Sequence, residues 1–175
     1  MTLTTERLRL RPLETNDFAA VHKYCSDIGN LRYMLFGPNG EDATRAFIAD
    51  RISKTAMTPR TNYAFAACLK ESGVLIGSCE LDVKGEQGEL GWILDKDYWK
   101  NGYGTELAAE LIRFGFSELG LHRIYATCDA ENYGSYRVME RNRMRREGLF
   151  IKGRPTRDGW RDELLYARLK EEWLK

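Results

Sequence analysis

Hydrophobic positions along the chain change period several times, and each change marks an element. Over residues 7–11 basic residues alternate with Leu8 and Leu10, the pattern of a half-buried strand, which Pro12 closes. Thr15, Asn16 and Asp17 then offer capping chemistry ahead of Phe18, Val21, Tyr24 and Cys25, which recur at helical spacing. The turn-rich run Gly37-Pro38-Asn39-Gly40 separates this helix from a second over residues 42–54, whose inward side carries Phe47, Ile48 and Ile52.

From Tyr63 the pattern is that of strands. YAFAACL, VLIGSCELDV and ELGWIL are joined by short glycine-containing connections, which predicts an antiparallel meander. DKDYWKNGYG follows, then a helix over residues 105–118 with Leu107, Leu111 and Ile112 on its apolar face, ending near Gly120. The strand HRIYATCDA comes next, so residues 89–130 read strand, loop, helix, strand. In one sheet that order implies a parallel pair with a right-handed crossover. A short helix over 135–142 and strands near 148–152 and 163–169 complete the chain, with the turn-rich stretch 153–159 between those strands. The predicted fold class is α/β (α+β), one domain over residues 1–175. Its mixed central sheet has about seven strands, an antiparallel N-terminal half and one parallel βαβ unit, flanked by about four helices.

The 175 residues, 43% apolar and 30% charged, suffice for one sizeable core. Lys and Arg number 27 against 26 Asp and Glu, so no global field draws the chain to nucleic acid or an anionic membrane, and any anion site has to be local. The opening MTLTTERLRLRPL lacks the apolar run of a signal peptide. No stretch approaches the roughly 18 to 20 apolar residues of a membrane span, and a cytoplasmic location is expected. Cys25, Cys68, Cys79 and Cys128 show neither a C-x-x-C pair nor zinc spacing and read as reduced packing residues. His22 and His122 have no i, i+4 partner, so no metal site is expected.

Local anion chemistry is offered by Gly102-Tyr103-Gly104-Thr105. Between a strand and a helix, small residues let successive N–H groups converge, and the positive helix end adds to them, which suits a pyrophosphate. The same glycines would also serve a plain tight turn. A P-loop is excluded because no G-x-x-x-x-G-K run occurs. A dinucleotide fingerprint fits poorly: its third glycine is Leu107, and Gly102 comes only eighth after Leu94.

Three separated blocks, ELGWILDKDYWKNGYGTELAAELIRFGF, NYGSYRVMERNRMRREG and WRDELLYARLKEEW, together with the opening TERLRLRPLETND, resemble the GNAT superfamily of N-acetyltransferases, in particular its RimJ/RimL-like branch. The resemblance covers nearly the whole chain and implies acetyl-CoA as cosubstrate. It implies that the strand at 91–94 bulges and splays from the strand at 124–129, with the pantetheine arm in the split. The exposed backbone of Trp92, Ile93 and Leu94 would bond that arm, and one of those amides would polarise the thioester carbonyl. Lys100, Asn101, Gly102, Tyr103, Gly104 and Thr105 would hold the pyrophosphate, Asn132 would reach the pantetheine, Ser135 would face the sulfur, and Arg141 would lie near the cofactor. The chain departs from the family pattern at Trp99, where Gln or Arg is frequent, and at Asn142-Arg143-Met144, where Leu-Gly-Phe usually ends the fourth helix. Met139 stands where many members carry a tyrosine as thiolate acid, which leaves Ser135 as the candidate.

An amine attacks a thioester only when neutral, so the enzyme needs a base, an oxyanion shelter and an acid for the leaving sulfur. Glu89 is the candidate base, directly or through a water, and Ser135 the candidate acid; the plainer readings are an ion-paired strand residue and a helix N-cap. A model α-amine titrates near about 7.7 to 8.0 and a lysine near about 10.4, so a weak base suffices for a protein N-terminus. That agrees with the branch's action on N-terminal α-amines of ribosomal proteins. Glu80, Asp82, Glu86 and Glu89 would attract a cationic amine or simply form a solvated hairpin. Arg137 and Arg141 would contact a coenzyme A phosphate or stay surface cations, and Tyr33 and Phe36 would line the acceptor mouth or pack in the core. The expected function is acetyl transfer from acetyl-CoA to a primary amine, first of all an N-terminal α-amine of a peptide or protein. The alternatives are a small-molecule amine (polyamine, amino acid or antibiotic) and a non-catalytic acyl-CoA-binding module. Strand edges near the C-terminus offer pairing for a homodimer.

Overall fold

Leu8 and Leu10 are fully buried and Arg9 between them is exposed, so the alternation over 7–11 folds as the strand Leu8–Arg11 (β2), preceded by a two-residue strand Leu3–Thr4 (β1). The computed structural model describes residues 1–156 and 159–175. Helices Phe18–Ser26 (α1) and Glu41–Thr55 (α2) follow, then strands Asn62–Leu69 (β3), Leu75–Lys84 (β4) and Gln87–Leu94 (β5). Helix Tyr103–Ser117 (α3) and strand Arg123–Asp129 (β6) complete the crossover. Helix Tyr133–Arg141 (α4), strands Arg145–Thr156 (β7) and Gly159–Leu169 (β8) and a last turn Lys170–Trp173 (α5) end the chain.

The strands form one mixed sheet in the order β1-β2-β3-β4-β5-β6-β8-β7. Only β5 and β6 pair in parallel among the described residues. The sheet therefore has eight strands rather than about seven, β1 being too short to show a period. The turn expected over 153–159 is largely strand: β7 runs to Thr156 with register shifts against β8, and residues 157 and 158 lie outside the described residues.

Each face of the sheet buries its own cluster. Leu81, Leu90, Leu94 and Ile124 pack with Leu107, Leu111 and Ile112 of α3 on one side. Val21, Tyr24 and Ile48 of α1 and α2 pack with Ala66, Cys68 and Ile93 on the other, with Phe47 and Ile52 at its rim. Strand β5 thus sends Leu90 and Leu94 toward α3 and Ile93 toward α1 and α2, the period-two alternation of a central strand. Among the described residues no helix is long and apolar enough to cross a membrane.

Candidate active site

The site forms where the parallel pair comes apart. Strands β5 and β6 pair at Gln87–Arg123, Gly88–Ile124 and Glu89–Tyr125 and then diverge, β6 continuing beside β8 to Asp129 and β5 beside β4 to Leu94. The β4–β5 register runs unbroken from Gly77–Leu94 to Lys84–Gln87, so the expected bulge is absent and divergence alone opens the split.

Which backbone groups face the split follows from the ladder. Asp95 N–H donates to Ile76 O at 2.8 Å and Arg123 N–H to Glu86 O at 3.2 Å. By alternation, the groups of Ile93 turn toward β4, and those of Trp92 and Leu94 turn into the split. The Leu94 carbonyl already accepts from Asn30 Nδ2 at 3.2 Å and Trp99 Nε1 at 2.8 Å. Of the three expected backbone contacts, both groups of Trp92 and the N–H of Leu94 stay open. Trp99, a departure from the family pattern, ties the loop to the end of β5.

Beyond Trp99 the chain passes through two left-handed residues, Lys100 (φ +63°) and Gly102 (φ +82°). The second lets α3 start at Tyr103, two residues earlier than expected, so Tyr103, Gly104 and Thr105 form its first turn. No side chain caps that turn, which leaves its N–H groups for an anion. A Cβ on Gly104 would lie 3.2 Å from Val138 Cγ2, so glycine here lets α4 approach α3 closely. Asn142 Nδ2 secures the same turn from the α4 side by donating to Thr105 O at 3.1 Å. Asn101 lies outside the cleft wall: its amide donates to Tyr98 O and Trp99 O, and its carbonyl accepts from Arg7 Nη1 at 3.0 Å.

Helix α4 forms the opposite wall. Its N-cap is Asn132, whose Oδ1 accepts from Ser135 N–H at 3.1 Å, so Ser135 is not the cap. The Ser135 hydroxyl has no partner among the described residues and lines the cleft. Both Arg137 and Arg141 line the cleft, but Arg137 is committed to Tyr133 OH and to Glu140, both at 2.9 Å, whereas Arg141 has no carboxylate partner among the described residues. The cleft measures about 1000 Å³ and reaches Asn30, Tyr33 and Met34, while Phe36 stacks on Phe47 in the core.

Glu89 is the last β5 residue paired with β6 and stays outside the wall of the cleft. Burial raises its pKa, a hydrogen bond from Tyr125 OH at 3.2 Å works the other way, and the charges of Asp82, Glu163 and Glu80 raise it further. Two of those neighbours are neutralised, Glu80 by Arg51 at 3.0 Å and Glu163 by Arg154 at 2.7 Å, while Glu89 has no cation among the described residues. All four cysteines are buried, and burial pushes the thiols of Cys25 and Cys128 up to about 12, far from a reactive thiolate. No group of three or more His, Cys, Asp or Glu could hold a metal among the described residues. The anchors Asn30, Arg7, Asn142 and Tyr125 escaped the sequence reading, since each meets its partner across at least 30 residues and leaves no local pattern.

A mixed sheet opened between its parallel strands, with an uncapped helix N-terminus at the mouth of the opening, is the scaffold of an acyl-transferring enzyme. The chain belongs to the acetyltransferase (GNAT) domain family, which it matches over residues 7–145, and it is an acetyltransferase. It is 39% identical to the uncharacterized N-acetyltransferase YnaD of Bacillus subtilis (strain 168), over 99% of each chain. It is 26% identical to the spermidine N(1)-acetyltransferase of Escherichia coli (strain K12), over 71% of this chain and 66% of that one. An acetyltransferase structure (GNAT family) from Bacillus anthracis superposes with a TM-score of 0.87 at 39% identity, over 98% of this chain and 100% of that one. Mycobacterium smegmatis RimJ, solved with a CoA-disulfide, shares the fold with a TM-score of 0.87 at 23% identity, over 100% and 90% of the two chains.

Proposed function

We propose that the chain binds acetyl-CoA in the split between β5 and β6 and acetylates an N-terminal α-amine of a peptide or protein. The observation that carries this reading is a half-buried carboxylate without a cation among the described residues, Glu89, at the last residue where the two strands still pair. The residues around the split suit the cosubstrate. Uncapped amides from Gly102 to Thr105, with the charges of Lys100 and Arg141, fit a pyrophosphate. The open backbone of Trp92 and the free Nδ2 of Asn132 fit the amides of a pantetheine arm, and the RimJ neighbour was solved with a CoA-disulfide.

The bound thioester supplies an activated acetyl carbon; the chain's residues supply the proton traffic. Glu89 shares its strand face with Ile93, on the α1 and α2 side of the sheet, while Leu94 faces α3. The acceptor thus enters from the first side and the cofactor from the second. At about 3.3 Å per residue Glu89 is roughly 10 Å along the strand from Trp92, so the proton passes from amine to carboxylate through a chain of bridging waters. The amine nitrogen bonds to the acetyl carbon as the carbon–sulfur bond breaks. Its proton passes to Glu89, and the Ser135 hydroxyl hydrogen-bonds the departing sulfur and relays a proton to it from solvent, ending as the neutral hydroxyl it began as. The raised pKa of Glu89 makes it a better base than an exposed carboxylate, though still a mild one, which suits an amine already partly neutral.

Because Arg51 and Arg154 pair with Glu80 and Glu163, the carboxylates left without a cation there, among the described residues, are Glu89 and its cross-strand neighbour Asp82, a compact acidic spot rather than the row of charges a polyamine would engage. The test is thiol release from acetyl-CoA with peptides bearing free or blocked N-termini, spermidine, free amino acids and aminoglycosides. Turnover that vanishes on blocking the peptide N-terminus is the expected result. Selective turnover of spermidine or another small amine would overturn the acceptor assignment.

A further inference from the structure

Arg7 lies outside the cleft, at the entrance to β2, yet it is tied to the loop that frames it. Its Nε donates to Glu106 Oε2 at 2.7 Å, its backbone N–H to Glu106 Oε1 at 2.7 Å, and its Nη1 to the Asn101 carbonyl at 3.0 Å. The guanidinium also lies over the Tyr103 ring, 4.6 Å from the centroid, and a Cβ on Gly102 would sit 3.3 Å from its Nη2. Glu106 belongs to the first turn of α3 and takes a further hydrogen bond from the Thr5 hydroxyl, so the fork is locked on both sides.

Taking the acetyl-CoA reading above as given, we propose that Arg7 is a positioning residue for cofactor binding: it fixes the orientation of the Asn101–Gly102 peptide. In a planar trans peptide the C=O and the next N–H point opposite ways. With the Asn101 oxygen held outward by Arg7, the Gly102 N–H is held toward the cleft, in line with the amides that open α3. The loop needs such a tie because Lys100 adopts a left-handed conformation that a residue with a side chain leaves readily. Without Arg7 the peptide is free to flip and present a carbonyl oxygen to the pyrophosphate.

The experiment measures dissociation constants for CoA and for pantetheine, which lacks the pyrophosphate, with the intact protein and with R7A, R7K and E106Q. For R7A we expect CoA affinity to fall about tenfold with pantetheine affinity unchanged, and KM for acetyl-CoA to rise while kcat and acceptor KM hold. R7K, with no fork to span Glu106 and Asn101, recovers only part of the loss. E106Q, which loosens Arg7 without removing it, weakens CoA binding about threefold. Tighter CoA binding by E106Q would mean that a freed Arg7 meets the phosphates directly, and would overturn the positioning role. Equal losses for CoA and pantetheine would also overturn it, since they report a general structural defect. A native protein that binds CoA no better than pantetheine would instead remove the pyrophosphate reading on which the proposal rests. If R7A fails to fold, E106Q and R7K carry the same comparison.

Discussion

Helix α4 ends on a residue that chemistry disfavours there, and replacing it gives a calculable gain. Arg143 follows the C-cap Asn142 with φ +56°. Its N–H donates to Glu140 O at 2.9 Å and the Met144 N–H to Met139 O at 3.1 Å, the paired bonds of a Schellman end, closed by the buried contact partners Met139 and Met144. That end is normally built on glycine, because a left-handed conformation costs a residue with a side chain about 1 to 2 kcal/mol. Arg143→Gly removes that cost and restores about 0.5 to 1 kcal/mol of unfolded-chain entropy, a net gain of roughly 0.5 to 1 kcal/mol. Its loss also relieves Arg168, whose guanidinium is disfavoured first by burial and then by the charge of Arg143. For a chain of 175 residues the sum corresponds to a rise in Tm of about 2 to 4 °C. Thermal melts of the native protein, Arg143→Gly and Arg143→Ala separate the two contributions, since alanine removes the charge but keeps the backbone strain. We expect glycine to gain clearly more than alanine. An alanine variant that matches or exceeds glycine would refute the backbone argument and leave charge relief as the whole effect.

Three further outcomes follow from the site. Tyr125→Phe deletes the hydrogen bond that favours ionised Glu89, so the acidic limb of kcat/KM against pH moves to higher pH, and an unmoved limb would take Glu89 out of the proton path. Because the folded-state pKa of Glu89 is raised, its favourable contribution to stability is present below the unfolded value, near 4.5, and is lost as pH rises through the folded value; Glu89→Gln therefore melts above the native protein at neutral pH but not at acid pH. Asn132 combines a cap with a proposed pantetheine contact, and two variants split the roles. Asn132→Ala loses about 1 kcal/mol of capping and weakens pantetheine binding, while Asn132→Asp keeps the cap and loses only the amide donor; equal pantetheine affinity in Asn132→Asp and the native protein would remove the contact.

The half of the site that would meet the cofactor was legible in the sequence and the half that would meet the acceptor was not, and the difference is physical. A phosphate is held by backbone N–H groups, so its site is written in what the backbone requires locally: glycines at 102 and 104, a helix beginning at once, a strand just before. The same locality made β2 through β6 readable: β2 alternates buried and exposed residues, while β3 and β4, buried on both faces, read as apolar runs bounded by turns. Strand β7 was underestimated because its residues are almost all exposed, so no burial pattern marks its ends and pairing with β8 alone sets its length. Glu89 was singled out as a residue, but what makes it chemically distinct lies elsewhere: Tyr125 is 36 positions away, and the arginines that cancel its acidic neighbours stand on α2 and β7. Each of those partners is an ordinary surface-type residue in its own segment. Only the sheet order brings them together, and a substitution at any of them would retune the carboxylate while leaving every local motif unchanged. On the proposed reading, acceptor choice in this chain is set by pairings across the sheet and not by any local motif.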